Sequence, residues 1–280
     1  MVGILFGVWI IFSWFYSGWS SNISYGDIGY DLTDYETGVE EEGSGDTAFY
    51  AFGGEFFTNK VEWLDNNQNQ YKAVFKVHEE YLEPSTKYRE RIRSNASWTN
   101  LYGGLAQFDE GKLDEILEMF EDIKEENDLS QKEFADMVVT SIQNISYVLV
   151  HQYSHAKADR LWGGFYEEYH ESGEACLENI KFGIQSPVEF MSNFKGDCDT
   201  RALLCYLILK DFGFDVAMLG SEEYGHEVLG ISGNYRGSFL KKDGIKYYAW
   251  ETTAVGYSPG VMSSDCSDMD YWTIDLCSRD

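Results

Sequence analysis

The hydrophobic pattern of the chain changes period several times. Tyr71, Ala73, Phe75 and Val77 alternate with Lys72, Lys76 and His78, a period of two that predicts a strand. Leu113, Ile116, Leu117, Phe120 and Ile123 fall on one face of a helix over 113–124. Ser130 then opens S-Q-K-E, a capping box with Glu133 in third place, and a second helix runs on to Gln143. Ser186-Pro187 predicts another helix start, ending near Phe194. After the short loop K-G-D comes an apolar helix from Cys198 to about Asp211, stopped by Gly213. Three strands follow, over 214–219, 226–232 and 245–253, with S-G-N and K-D-G marking the ends of the last loop. The stretch 48–82 reads as mixed, 79–93 suits either strand or helix, and 147–178 follows no single period.

Upstream of Asp27 there is no charged side chain, and Val2–Trp19 is apolar all round. Eighteen such residues are long enough to span a bilayer as a helix. The Trp and Tyr residues at 14–19 suit an interfacial belt. No Lys or Arg precedes the run and no clear cleavage site follows it, which favours an uncleaved anchor over a signal peptide. The polar, acidic stretch 20–47 reads as a flexible tether, 48–110 as a mixed region, and 111–280 as the main domain. This order places the body outside the cytoplasm, in a periplasm or at a cell surface, with membrane contact through the N-terminal helix and envelope proteins as candidate partners.

The 280 residues are 44% hydrophobic, so a core is affordable despite a formal net charge of −27. That charge argues against nucleic acid, because phosphate contacts need Lys or Arg. Of the five cysteines, Cys198 and Cys205 are seven apart, about 10 Å along a helix. That is too far for a disulfide. Cys266 and Cys277 remain a candidate pair, and Cys176 stands apart from both.

Cys198 sits in G-D-C-D-T-R-A-L-L at a predicted helix start, where unpaired amides and the helix dipole favour a thiolate. Asp197 and Asp199 oppose this by charge unless their side chains cap the helix. Gly196 suits a tight bend before the sulfur. A thiol nucleophile needs a base and a group to orient it. The one downstream histidine is His226, in G-H-E-V-L-G-I. A hairpin centred in the 233–244 loop sets His226 opposite Glu251, with Cβ atoms about 5 Å apart. A second constellation, H-Q-Y-S-H, carries His151 and His155 at helical spacing, with Glu167 or His170 as a third metal ligand. The glutamate of H-E-x-x-H is missing and no spacing fixes the geometry. These histidines therefore read as structural or exposed, and no metal is assigned.

G-D-C-D-T-R-A-L-L, G-H-E-V-L-G-I and Y-Y-A-W-E-T-T-A, taken in this order, resemble the transglutaminase-like superfamily of papain-like thiol enzymes. The likeness covers about 130–256. It implies an α+β fold, a papain-like core with the nucleophile helix packed on an antiparallel sheet, here behind an N-terminal membrane-spanning helix. It implies Cys198 as nucleophile, His226 as base and acid, and Glu251, where the family usually has Asp, as the orienting carboxylate. Gln143, in Q-N-I-S-Y, resembles the glutamine that donates to the oxyanion in such sites. The implied activity is cleavage of peptide or protein amides through a thioester, with no cofactor. Two alternatives are crosslinking by transfer to an amine, and a catalytically silent scaffold or binding module.

Overall fold

A computed structural model of the protein describes residues 55–162 and 165–280. Among them the fold is α+β, with eight α-helices and nine strands. None of these helices is long and apolar enough to cross a membrane. This corrects the expected fold class, which placed a membrane-spanning helix in the architecture. The run 2–19 assigned to it, and the acidic stretch 20–47, lie outside the described residues.

The chain opens with a hairpin of β1 (Phe56–Leu64) and β2 (Gln70–His78), which buries alternate residues of β2. Four helices follow: α1 (Glu79–Arg91), α2 (Trp98–Asp109), α3 (Asp114–Glu126) and α4 (Gln131–Gln143). Both halves of the Ser130–Glu133 capping box are formed at α4. Next come β3 (Leu149–Val150), α5 (His155–Trp162), α6 (Phe165–Glu171) and β4 (Cys176–Leu177). β3 and β4 make a two-residue parallel pair. Helix α7 (Pro187–Asn193) carries its own capping box, Ser186 with Glu189, and ends on Phe194 in the left-handed region. Helix α8 (Cys198–Asp211) follows.

The remainder builds an antiparallel sheet of five strands in the order β7-β8-β6-β5-β9. These are β5 (Val216–Ser221), β6 (His226–Ser232), β7 (Phe239–Lys242), β8 (Ile245–Trp250) and β9 (Thr273–Cys277). Both sheet faces are covered, so the strands are nearly continuous in apolar side chains. Leu229, Ile231 and Trp250 enter the main core with α8, α4, α2 and the β1–β2 hairpin. Val228, Tyr247 and Ala249 enter a second core under Trp272 and Cys266. K-D-G is the turn of a β7–β8 hairpin and not the end of a plain loop. Asp243 and Gly244 both have positive φ, as a two-residue type I′ turn requires. Cys266 and Cys277 are not paired, and all five thiols are free. Cys277 instead lies against the Tyr247 hydroxyl at 3.1 Å.

One side chain joins the layers around the start of α8. Arg201 is fully buried. Its guanidinium donates to the carbonyls of Gly196 (3.0 Å), Ile142 (3.0 Å) and Ile145 (2.6 Å). Burial lowers its pKa to about 10, which still leaves it charged at neutral pH. It therefore ties the turn before Cys198 to the end of α4. Replacing it by Met should leave the Ile145 carbonyl without its donor, the Gly196 and Ile142 carbonyls keeping the amides of Val148 and Ile145, and cost about 1–3 kcal/mol. Equilibrium denaturation of Arg201→Met measures this; a loss below about 1 kcal/mol would mean the clamp is not structural.

Candidate active site

The first turn of α8 presents Cys198, half-buried, beside β6. Gly196 is needed there for close approach and not for a bend: a Cβ at this position would lie 2.8 Å from the Thr200 methyl and 3.0 Å from the Phe190 ring. Asp197 is the N-cap residue, but its side chain does not cap the helix backbone. One of its oxygens accepts from the Thr200 hydroxyl at 3.1 Å, and the other from the Val150 amide at 3.1 Å. The carboxylate that accepts a backbone amide of the helix is Asp199, from Thr200 at 2.7 Å.

His226 begins β6, and the backbone N–H of the next residue, Glu227, donates to the Cys198 sulfur. The imidazole Nε2 lies 2.7 Å from Glu251 Oε2, both side chains being almost fully buried. With the carboxylate accepting, Nε2 carries the proton and Nδ1 holds the lone pair. Nδ1 is buried with no hydrogen-bond partner. The other oxygen of Glu251 accepts from the amide (2.9 Å) and hydroxyl (2.7 Å) of Thr253. The His226 charge and the Thr253 bonds together outweigh burial and hold Glu251 below the usual carboxylate range.

The register that brings this pair together differs from the direct opposition expected. Leu229 faces Trp250 and Gly230 faces Ala249. Continued one step, the register sets Val228 opposite Glu251, so His226 lies diagonally across from it. The slip is two residues, which keeps both side chains on the same face. Diagonal neighbours are about 7–8 Å apart, within reach of long side chains only. Here the extra methylene of Glu relative to Asp has a use.

Gln143 is also brought to this place, in a role unlike the one expected. Its Nε2 donates to the backbone carbonyls of Glu251 (2.7 Å) and Tyr257 (3.1 Å). Both amide hydrogens are thereby spent, so Gln143 positions the Glu251 segment and is not an open oxyanion donor. The residues that the sequence reading passed over are Arg201, Thr253 and Glu227. An arginine inside an apolar helix was a usable signal for the first.

Partial burial, then the charges of Asp199 and Asp197, push the Cys198 thiol well above its ordinary value. The expected lowering by the helix start is outweighed. Asp197 is itself held well up by burial and by the neighbouring Asp199. Glu227 is likewise pushed up by burial and by Asp275. Cys198 is thus disfavoured as a thiolate, on a helix packed against the strand that His226 opens.

A second cluster lies beyond β3. His151, His155, His170 and Cys176 bring one ligand atom each to within 4.8 Å of one another. The sequence reading had set the first three apart as structural or exposed. Glu167, its other candidate ligand, is exposed and outside the cluster. Cys176 had not been connected with them. Burial, reinforced by the His170 and His155 charges, lowers the His151 pKa.

Comparison with known proteins returned no match: no family model, no curated protein and no solved structure matches this chain.

Among the charges that disfavour the Cys198 thiolate, Asp199 is the largest. Asp199→Asn removes it while keeping an oxygen for the Thr200 amide. The midpoint of Cys198 alkylation by iodoacetamide should fall by about one pH unit. An unchanged midpoint would show that Asp199 does not govern the thiol.

Proposed function

We propose that the protein is a thiol-dependent amide hydrolase of transglutaminase-like type, acting on peptide or protein amides through Cys198, His226 and Glu251. The observation that carries this reading is the buried His226–Glu251 pair, 2.7 Å long, at the strand end whose next amide meets the Cys198 sulfur. A thiol, an oriented base and a buried carboxylate are the parts that nucleophilic acyl transfer requires.

The steps follow from the protonation states. Nδ1 of His226 takes the thiol proton as sulfur bonds to the amide carbon. The oxyanion forms near the α8 start, whose first amides lack intrahelical partners. As the C–N bond breaks, the imidazolium gives its proton to the leaving amine. Water then adds to the thioester, His226 taking its proton, and the C–S bond breaks to release the acid and restore the thiol. Because the resting group is a thiol, proton transfer belongs to the attack step, as with a serine nucleophile. An amine in place of water would make the same site a crosslinking enzyme.

One observation favours a second reading. The raised Cys198 thiol suits a silent binding module as well as an enzyme awaiting substrate. Incubation of the protein with mixed peptide amides, read by intact mass, separates the two. A covalent acyl adduct on Cys198, released by hydroxylamine and absent in Cys198→Ala, supports the enzyme. Turnover that survives in Cys198→Ala overturns it, and neither adduct nor turnover favours the module.

The diagonal geometry makes a sharper prediction. Glu251→Asp should lower turnover about as much as Glu251→Gln, by about 100-fold or more, because the shorter acid no longer reaches Nε2. Wild-type rates in Glu251→Asp would refute the reach argument.

A further inference from the structure

The cluster of His151, His155, His170 and Cys176 lies outside the proposed thiol site and has the composition of a metal centre. Each donor comes from a different element. His151 follows β3, His155 opens α5, His170 lies near the end of α6, and Cys176 opens β4. Three imidazoles and one thiol converge there, with no ligand atom more than 4.8 Å from another. Around a tetrahedral zinc ion, neighbouring ligand atoms are about 3.3–3.6 Å apart, from bond lengths of about 2.0–2.3 Å. Ligation therefore requires the widest pairs to close by about an ångström, while His155 Nε2 and Cys176 Sγ move apart to admit the ion.

The surroundings resemble those of a metal site in three further respects. His170 Nδ1 lies 2.7 Å from Asp159 Oδ1, while Nε2 is buried with no hydrogen-bond partner. A carboxylate on one nitrogen fixes the tautomer and leaves the other nitrogen to bind. Second, His155 Nε2 already meets Cys176 Sγ, with Glu178 Oε1 3.0 Å from the same nitrogen. Third, the charge is compensated: a zinc ion with one thiolate and three neutral imidazoles carries one positive charge, and the carboxylates of Asp159 and Glu178 stand beside it.

The fold around the cluster has little else to hold it. The β3–β4 pair is two residues long, and the local core is Leu149 and Tyr169 with Tyr147 and Cys176 packed on them. Cores this small commonly rely on a staple.

We propose that His151, His155, His170 and Cys176 bind one zinc ion in a closed, four-coordinate structural site that staples the 151–177 segment. Imidazole and thiolate in a tetrahedral set select zinc over calcium or magnesium. With four protein donors the ion keeps no open position and has no part in amide cleavage.

The test uses the full chain, freed of metal by a chelator and then given zinc or cobalt(II). One equivalent of zinc should bind. The cobalt form should show tetrahedral d–d bands and a thiolate-to-cobalt band that is lost in Cys176→Ser and kept in Cys198→Ala. Asp159→Asn should weaken zinc about 10- to 100-fold. Should Cys176→Ser fail to fold, the wild type still decides: zinc should protect Cys176 from iodoacetamide and chelator should expose it. No stoichiometric binding, a thiolate band that persists in Cys176→Ser, or Cys176 labelling indifferent to zinc would each overturn the site. These readouts do not depend on amide turnover, so the zinc site and the acyl-transfer reading can fail separately.

Discussion

Arg201 is a cation with no access to water, and its hydrogen bonds run to three main-chain carbonyls. A buried charge is tolerated only when well paired, so this geometry constrains everything it touches. On one side it holds the Gly196 carbonyl, two residues before Cys198. On the other it holds Ile142, next to Gln143. Gln143 in turn donates to the main chain of Glu251, and Glu251 orients His226. Cys198 and Glu251 thus refer to one guanidinium. Neither member of the proposed pair rests on a free loop.

The thiol is set by opposing influences, of which burial and neighbouring charge prevail. The α8 start and the Glu227 amide favour the anion, while partial burial and two aspartates oppose it. Burial raises both Asp197 and Asp199, which softens the opposition. Asp197 also has structural work, joining α8 to β3 through Val150 and to Thr200. A site tuned only for thiolate would have little use for these acids. A site in which the base removes the proton during attack tolerates them, and gains a firmly anchored helix start.

Local patterns in the sequence were legible where one element imposes one period. The capping box at Ser130, the apolar run after Cys198 and the alternation of β2 all appear where expected. Helix α2 fell in the stretch read only as mixed, and its Gly103 and Gly104 weaken the helical signal. Gly104 is there because a Cβ would lie 2.9 Å from the Tyr88 hydroxyl. Strand β7 was hidden by its half-exposed residues, and missing it displaced the centre of the hairpin. That is why His226 was expected opposite Glu251 when the true relation is diagonal. The four-residue cluster was illegible because Cys176 reaches His151 through the two-residue β3–β4 pair, and His155 and His170 through the packing of α5 on α6, tertiary closures that no fixed spacing encodes.

The two histidine–cysteine groupings differ in how many bases surround each thiol, and chemistry follows from that number. Cys198 stands on the helix packed beside the strand that opens with one imidazole, which a carboxylate holds by its Nε2. Cys176 has three imidazoles around it, and these four donors together make the set that a divalent cation binds. The groupings are nonetheless joined. Val150 donates to Asp197, the residue before Cys198, and His151 is the residue after Val150. The His151 amide also donates to Leu177 at 2.9 Å, closing the segment onto β4. Order in 151–177 therefore passes to the start of α8 across a single peptide unit. A cation that fixes the first would restrain the geometry of the second without touching its chemistry.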